Sequence, residues 1–206
     1  MPDAALDAPF DSASEALIDL IASRQSTKAV DLAEPAPDDA ELERLLAAAV
    51  SAPDHGALRP WRFLSIRGSA RERLSDVFEA ALRARDPMTC EEDVAALRGK
   101  PLRSPLILAV AAEITENHPK VPPEEQVIAA ACATQNVLLA AHAAGWGAVL
   151  LTGWVAHDPT VRKALGFGEK DRLIGFLYMG TPPADRRVKK RPEPGKFLKS
   201  WTGPTD

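Results

Sequence analysis

The sequence predicts a single α+β domain that spans residues 1–206. Several segments repeat apolar residues at helical spacing, several short runs are rich in strand-forming residues, and no low-complexity linker or internal repeat divides the chain. Hydrophobic residues make up 46% of the chain and charged residues 26%, which is typical of globular proteins. A chain of this length can build one well-filled core or two small ones, and we expect one domain.

The first half of the chain carries three helical patterns and one strand-like run. Leucine and isoleucine recur at helical spacing in the first two segments. Asp38 suits the N-terminal turn of the second helix, and Pro53 follows its end. We predict helices at residues 14–22, 38–51 and 69–85 and a strand at residues 62–67.

The second half of the chain contains the longest helical pattern, at residues 123–144. It opens with Pro-Glu-Glu, stops at Gly145 and is apolar on nearly every face, so we expect it at the centre of a core or a subunit interface. Around it we predict strands at residues 106–112, 147–151 and 173–179 and a helix at residues 159–165.

The two ends of the chain are expected to lie outside the packed core. Residues 1–12 are acidic, lack the features of a secretory signal and predict a flexible tail. Residues 182–206 are rich in Pro, Lys and Arg and predict an extended arm. Its apolar residues, Phe197, Leu198 and Trp201, need another surface to cover them, such as that of a second subunit.

Composition excludes several classes of function. A net charge of −4 and a pI of about 5.6 argue against nucleic-acid binding. The most apolar stretch, residues 127–144, includes Thr134, Gln135 and His142, so a core helix explains it better than a membrane span. Two cysteines without CxxC spacing indicate a reducing compartment, and we expect a cytoplasmic protein.

Standard catalytic motifs are missing from the sequence. The four histidines occur in neither an HxxxH nor an HExxH frame, so no metal site is predicted. GxSxG, the P-loop and GxGxxG after a strand are likewise absent. The sequence therefore does not predict acyl transfer, nucleotide triphosphate hydrolysis or a Rossmann cofactor site.

The most informative segment is Ser23-Arg24-Gln25-Ser26-Thr27-Lys28, which follows the first helix. It places two cations and several hydroxyls within six residues, which suits a phosphate group. A basic turn that only complements the helix dipole is the alternative. Two weaker motifs are the loop at residues 53–61 and Thr152-Gly153-Trp154, where a backbone amide after a strand could face a ligand.

In order along the chain, these segments resemble the FMN-dependent nitroreductase family, particularly its short bacterial NAD(P)H-linked members. The resemblance runs from about residue 16 to residue 191. It implies a central, mainly antiparallel sheet flanked by helices, and an intertwined homodimer with FMN at its interface. The matching motifs are Ser-Arg-Gln-Ser-Thr-Lys, Ala-Pro-Asp-His, Arg-Pro-Trp-Arg-Phe, Gly-Trp-Gly and Leu-Ile-Gly-Phe-Leu-Tyr-Met-Gly-Thr-Pro.

The resemblance also implies where FMN binds. The first basic segment would hold the phosphate, the ribityl chain and the pyrimidine edge, with Lys28 beside N1 and C2=O. The loop after the second helix would reach the FMN of the partner subunit, and the turn after the third predicted strand would offer the Thr152 N–H to flavin N5. The implied residues are Arg24, Gln25, Ser26 and Lys28; Ser51, Pro53 and His55; and Leu150, Leu151, Thr152 and Gly153.

A late phosphate contact from Lys189 and Arg191 is also implied, although a merely solvated basic tail is the alternative. No side chain is assigned as catalytic, since flavin N5 is the reactive centre. The implied activity is ping-pong transfer of hydride from NAD(P)H through FMN to a nitroaromatic, a quinone or a similar small acceptor.

This chain departs from the family pattern at two places. Gln25 stands where short relatives commonly have a second arginine, and Leu150-Leu151-Thr152 replaces a more polar or aromatic turn. The altered turn motivates a second hypothesis, a flavin storage or sensor protein with little turnover. A third is a specialised reductase or dehalogenase of the same family.

Overall fold

The computed structural model describes residues 11–185 and 189–204. Its helices and strands agree with the sequence predictions within two residues at each end, apart from one further helix. The helices are α1 (Ser12–Ser23), α2 (Asp39–Ala49), α3 (Ser69–Arg85), α4 (Glu91–Arg98), α5 (Pro123–Ala143) and α6 (Pro159–Ala164); the strands are β1 (Trp61–Arg67), β2 (Leu106–Ala112), β3 (Gly147–Leu151) and β4 (Arg172–Gly180).

The first helix begins earlier than the sequence suggested. The Asp11 carboxylate accepts a hydrogen bond from the Ser14 N–H at 2.8 Å and caps α1. Ser12 therefore belongs to a helix and not to the expected tail at residues 1–12. The rest of that tail, residues 1–10, lies outside the described residues.

The four strands form one antiparallel sheet in the order β1-β2-β4-β3. Strand β2 is buried along its whole length, whereas β1 and β3 are the edge strands. Helices and an antiparallel sheet together confirm the predicted α+β fold class. The position of β3 at an edge leaves one of its sides available to other parts of the chain.

Apolar side chains fill both faces of the sheet. On one face Phe78 of α3 packs edge-on against Phe176 of β4, with ring centroids 5.6 Å apart. On the other face Leu45 of α2 and Val137 of α5 pack with Leu177 of β4. Helices therefore cover both faces of the sheet, and the buried strand β2 lies between them.

Helix α4 is the element that sequence periodicity missed. It is eight residues long and buries only Val94 and Leu97, which is too few for a periodic signal. Tertiary contacts fix it against α3: the Arg98 guanidinium pairs with Asp76 at 2.7 Å, and the Ser75 hydroxyl donates to the Arg98 carbonyl at 2.7 Å.

Helix α5 is the predicted central helix. Eight of its 21 residues are buried, among them Ala130, Ala133 and Val137. Its outer face remains apolar, because Ile128 is 60% exposed. Despite its length, neither this helix nor any other in the described part of the chain is apolar enough to span a membrane.

Candidate functional site

The basic segment, residues 24–28, begins where α1 ends. Arg24 caps the helix, since its N–H donates to the Leu20 carbonyl at 3.3 Å, and its ψ of 127° turns the chain into an extended path. The Thr27 N–H then donates to the Ala148 carbonyl of β3 at 3.1 Å. This hydrogen bond holds the basic segment against the start of the edge strand.

Close packing next to this hydrogen bond requires a glycine. A Cβ on Gly147 would lie 2.6 Å from a methyl group of Leu32 and 2.9 Å from the Pro182 ring. Such distances are too short for non-bonded carbon atoms, so any side chain at position 147 would displace the chain around it. The Gly-Trp-Gly motif of the sequence thus has a packing role here.

The C-terminal arm lies across the same segment. The Lys189 ammonium donates to the Ser26 carbonyl at 3.5 Å, and the Arg191 guanidinium donates to the carbonyls of Ala22, at 3.3 Å, and Arg24. The structure therefore brings the arm to the basic segment. Together they contain the six residues that the resemblance implies for the phosphate, ribityl and pyrimidine contacts of FMN: Arg24, Gln25, Ser26, Lys28, Lys189 and Arg191.

Positive charge is concentrated at this place. Partial burial lowers the pKa of the Arg24 guanidinium, and the neighbouring charge of Arg191 lowers it further. Within residues 11–185 and 189–204, neither arginine pairs with a carboxylate, and the same holds for Lys28 and Lys189. Four cations without acidic partners favour an anion, and guanidinium groups match phosphate oxygens well.

The basic segment also carries two buried polar atoms without partners. The Gln25 Oε1 and Thr27 Oγ1 atoms are buried and form no hydrogen bond with any residue that the structure describes. Thr27 as a whole is only 5% exposed. Buried polar atoms in folded proteins nearly always have partners, so these two acceptors fit a ligand that brings hydroxyl groups to the segment.

The turn after β3 lies at the opposite end of the edge strand. Gly147 and Leu151 are four residues apart, which corresponds to about 13 Å of extended chain. Leu150 is half-buried, Leu151 and Thr152 are exposed, and Gly153 has a φ of 85° and a ψ of −177°, a conformation nearly restricted to glycine. The sequence prediction of a glycine-permissive turn at this position is confirmed.

A cavity of about 320 Å³, here called the turn pocket, adjoins this turn. Its lining combines the turn with cationic and aromatic side chains: Lys100, Arg103, Leu151, Thr152, Gly153, Trp154 and Tyr178. A larger cavity of about 800 Å³ lies between α5 and the start of β4, but it contains none of the predicted site residues. The turn pocket is therefore the better candidate for a functional cavity.

Sequence reasoning missed Lys100 and Arg103. They stand in Lys-Pro-Leu-Arg, a short 3-10 turn without any motif, and the packing of this turn against α3 brings them to the cavity that Thr152 also lines. Tyr178 lies within the strand predicted at residues 173–179, and it is only 3% exposed. Burial raises the pKa of its phenol to about 12, although the charge of Arg103 opposes that rise.

The third predicted group lies at the end of α2. The Ser51 hydroxyl donates to the Ala48 carbonyl at 2.8 Å, Pro53 is exposed, and His55 Nδ1 lies 2.5 Å from a carboxylate oxygen of Glu125. No hydrogen bond joins this group to the basic segment or to the turn. One chain therefore does not unite the three groups, and the contribution of this loop to a partner's site stays a prediction.

Comparison with known proteins agrees with these observations. A sequence model described as the nitroreductase family matches residues 21–181. The Escherichia coli K12 protein named "Putative NAD(P)H nitroreductase YdjA" is 41% identical over 182 residues, which cover 88% of this chain and 97% of that protein.

Solved structures show the same fold. A nitroreductase-like family protein from Bacillus cereus has a TM-score of 0.77 at 22% identity, covering 95% of this chain and 99% of that one. A structure from Desulfovibrio desulfuricans, described as a nitroreductase in complex with FMN, has a TM-score of 0.66 at 24% identity, covering 91% and 98%. The family model matches most of this chain, and the similarity to the Escherichia coli protein extends over nearly the whole length of that protein. This chain therefore belongs to the nitroreductase family.

Proposed function

We propose that this chain is an FMN-dependent NAD(P)H oxidoreductase that acts as a homodimer. The observation that carries the proposal is the placement of the cationic basic segment at the start of the edge strand β3 and of the glycine turn, which lines the turn pocket, at its end. FMN has a matching polarity, with a phosphate at one end and a flat, hydrogen-bonding ring system at the other. The family and the name of the Escherichia coli relative support the same activity.

The basic segment provides the phosphate and ribityl contacts in this proposal. Arg24, Lys189 and Arg191 hold the phosphate by charge-assisted hydrogen bonds, with Ser26 beside them. The unpartnered Oε1 of Gln25 and Oγ1 of Thr27 accept hydrogen bonds from ribityl hydroxyls. The residues present thus fit FMN, and Gln25 contributes an acceptor where short relatives commonly place an arginine.

The turn positions the reactive ring. When bound, FMN supplies the redox chemistry, since its N5 atom exchanges hydride with NAD(P)H and with the acceptor. The Thr152 N–H donates to this edge of the ring, the Leu150–Gly153 turn shapes the approach, and Lys28 lies beside the pyrimidine. The protein contributes position, charge and shielding from water, so no acid–base pair of side chains is needed.

The proposal is tested on the purified protein. We expect a yellow protein with a flavin absorbance spectrum, or a colourless one that becomes yellow when FMN is added. Anaerobic NADH or NADPH should bleach that spectrum, and a quinone or nitroaromatic should restore it. A protein that stays colourless with FMN contradicts the proposal; tight FMN binding without NAD(P)H oxidation instead supports flavin storage or sensing.

Exposed apolar residues support the homodimer. Leu17, Ile18 and Ile21 on α1 and Ile128 on α5 are between 47% and 60% exposed. The arm adds Phe197, Leu198 and Trp201, which are 75%, 78% and 84% exposed. Apolar surface of this extent usually marks an interface, and a second copy is the partner that also places the Ser51, Pro53 and His55 loop against an FMN site.

A charge on α5 should separate the subunits. We expect Ile128→Glu to shift the protein from dimer to monomer in analytical ultracentrifugation and to remove most of its FMN, because burying an unpaired carboxylate is costly. Met88→Glu is the matched control, since Met88 is 90% exposed in the loop between α3 and α4. An Ile128→Glu variant that remains a dimer would show that Ile128 lies outside the interface, and a flavin-loaded monomer would show that the site is not shared.

A further inference from the structure

Tyr178 places a hydroxyl group in an otherwise apolar part of the core. It lies on β4 opposite Ile107 of β2 and Val149 of β3, and its ring belongs to the apolar cluster around Phe78. No described residue forms a hydrogen bond with the hydroxyl. The residue as a whole is only 3% exposed and lines the turn pocket, so a partner for the hydroxyl would bind in that pocket.

The Tyr178 side chain forms part of the wall of the turn pocket. Tyr178 lines the pocket together with Arg103 and Thr152, and the Arg103 charge acts on the phenol. The pKa of about 12 means that the phenol is neutral at physiological pH and available as a hydrogen-bond donor. Both Tyr178 and Arg103 therefore offer donors to the pocket, and a ligand there needs an acceptor.

The proposed function specifies which acceptor this is. If the Thr152 N–H donates to flavin N5, the C4 carbonyl, which is next to N5 on the ring, would lie at the turn and face the turn pocket, while N1 and the C2 carbonyl would face Lys28. Reduction places negative charge on the pyrimidine ring. Hydrogen bonds to charged acceptors are stronger than those to neutral ones, so donors here favour the reduced cofactor.

We propose that the Tyr178 phenol and the Arg103 guanidinium together hold a pyrimidine carbonyl of FMN and bind reduced FMN more tightly than oxidised FMN. This inference rests on the proposed function. It makes the pair a determinant of the cofactor's reduction potential and thus of the acceptors that the enzyme can reduce. A residue that looked purely structural in the sequence then takes part in the chemistry.

The experiment compares Tyr178→Phe with the wild-type protein. The substitution removes one oxygen and keeps the ring, so the core should remain folded. We expect affinity for reduced FMN to fall about tenfold and affinity for oxidised FMN to change little, because only the reduced ring is charged. Spectroelectrochemistry should then show a two-electron potential lower by about 30 mV, the equivalent of that tenfold ratio.

Arg103→Met should selectively lower the affinity for reduced FMN in the same way. The double variant should lose less binding free energy than the two single variants added together, since the two donors share one acceptor. Arg73→Met is the control, because this exposed arginine forms, within the described part of the chain, a side-chain hydrogen bond to Ser69 alone. Equal losses of affinity for oxidised and reduced FMN, or an unchanged reduction potential of bound FMN in Tyr178→Phe, would overturn the inference. A wild-type protein that binds no FMN would instead overturn the proposed function.

Discussion

Replacing Arg24 with alanine is expected to weaken FMN binding by about 1–3 kcal/mol, the usual range for a hydrogen-bonding charged group. This corresponds to a rise in the dissociation constant of about 5-fold to 150-fold. The reason is geometric: Arg24 lies between α1 and the arm, where burial and the nearby Arg191 prepare it for an anion. Fluorescence titration with FMN measures the effect directly.

Riboflavin provides a sharper form of this test, because it lacks only the phosphate. Arg24→Ala should leave riboflavin binding nearly unchanged while it weakens FMN binding. Arg191→Ala should behave in the same way, and Arg73→Ala, on the exposed face of α3, should affect neither ligand. Equal losses for FMN and riboflavin would show that the basic segment does not contact the phosphate.

Removal of the Thr152 backbone N–H should have the largest effect on turnover. Thr152→Pro deletes this donor, and the preceding residue, Leu151, already has the extended conformation that proline requires. We expect kcat/KM for NAD(P)H oxidation to fall about 10²-fold to 10³-fold, as when one donor is lost from a preorganised site. Binding of FMN should fall much less, since the proposed phosphate contacts are at the other end of β3.

Thr152→Ala is the matched control for this prediction, because alanine keeps the N–H and removes only the side chain. It should retain most of the wild-type turnover in steady-state assays. If the alanine variant loses as much activity as the proline variant, the side chain and not the backbone amide carries the effect. Circular dichroism of both variants establishes that the fold is intact.

Strong periodic patterns account for the parts of the fold that the sequence predicts well. Helix α5 combines 21 residues with a proline at its first position, and β2 is a continuous apolar run, so both are visible without a structure. Helix α4 has two buried residues and depends on Arg98 pairing with Asp76, 22 positions away in the chain. A contact between residues so far apart in the chain produces no helical spacing of apolar residues, so the sequence alone does not predict this helix.

The candidate site likewise contains residues that a sequence motif reveals and residues that only tertiary packing brings to it. Arg24 and Ser26 are two positions apart in one sequence motif, and Lys189 and Arg191 could be added only by resemblance to a family. Lys100 and Arg103 belong to no motif, since a 3-10 turn and the packing of α3 bring them to the turn pocket. Burial of Tyr178 was predictable from its apolar strand, but the position of its hydroxyl at a cavity was not.

The contacts of the arm with the basic segment have a consequence for the order in which the chain folds. Lys189 and Ser26 are 163 residues apart, and Arg191 and Ala22 are 169 apart. Contacts of such long range form late, after the intervening sheet has closed the loop between them. A chain whose sheet has folded but whose arm has not docked therefore lacks part of the proposed phosphate site, and FMN binding at that site becomes a report that folding is complete.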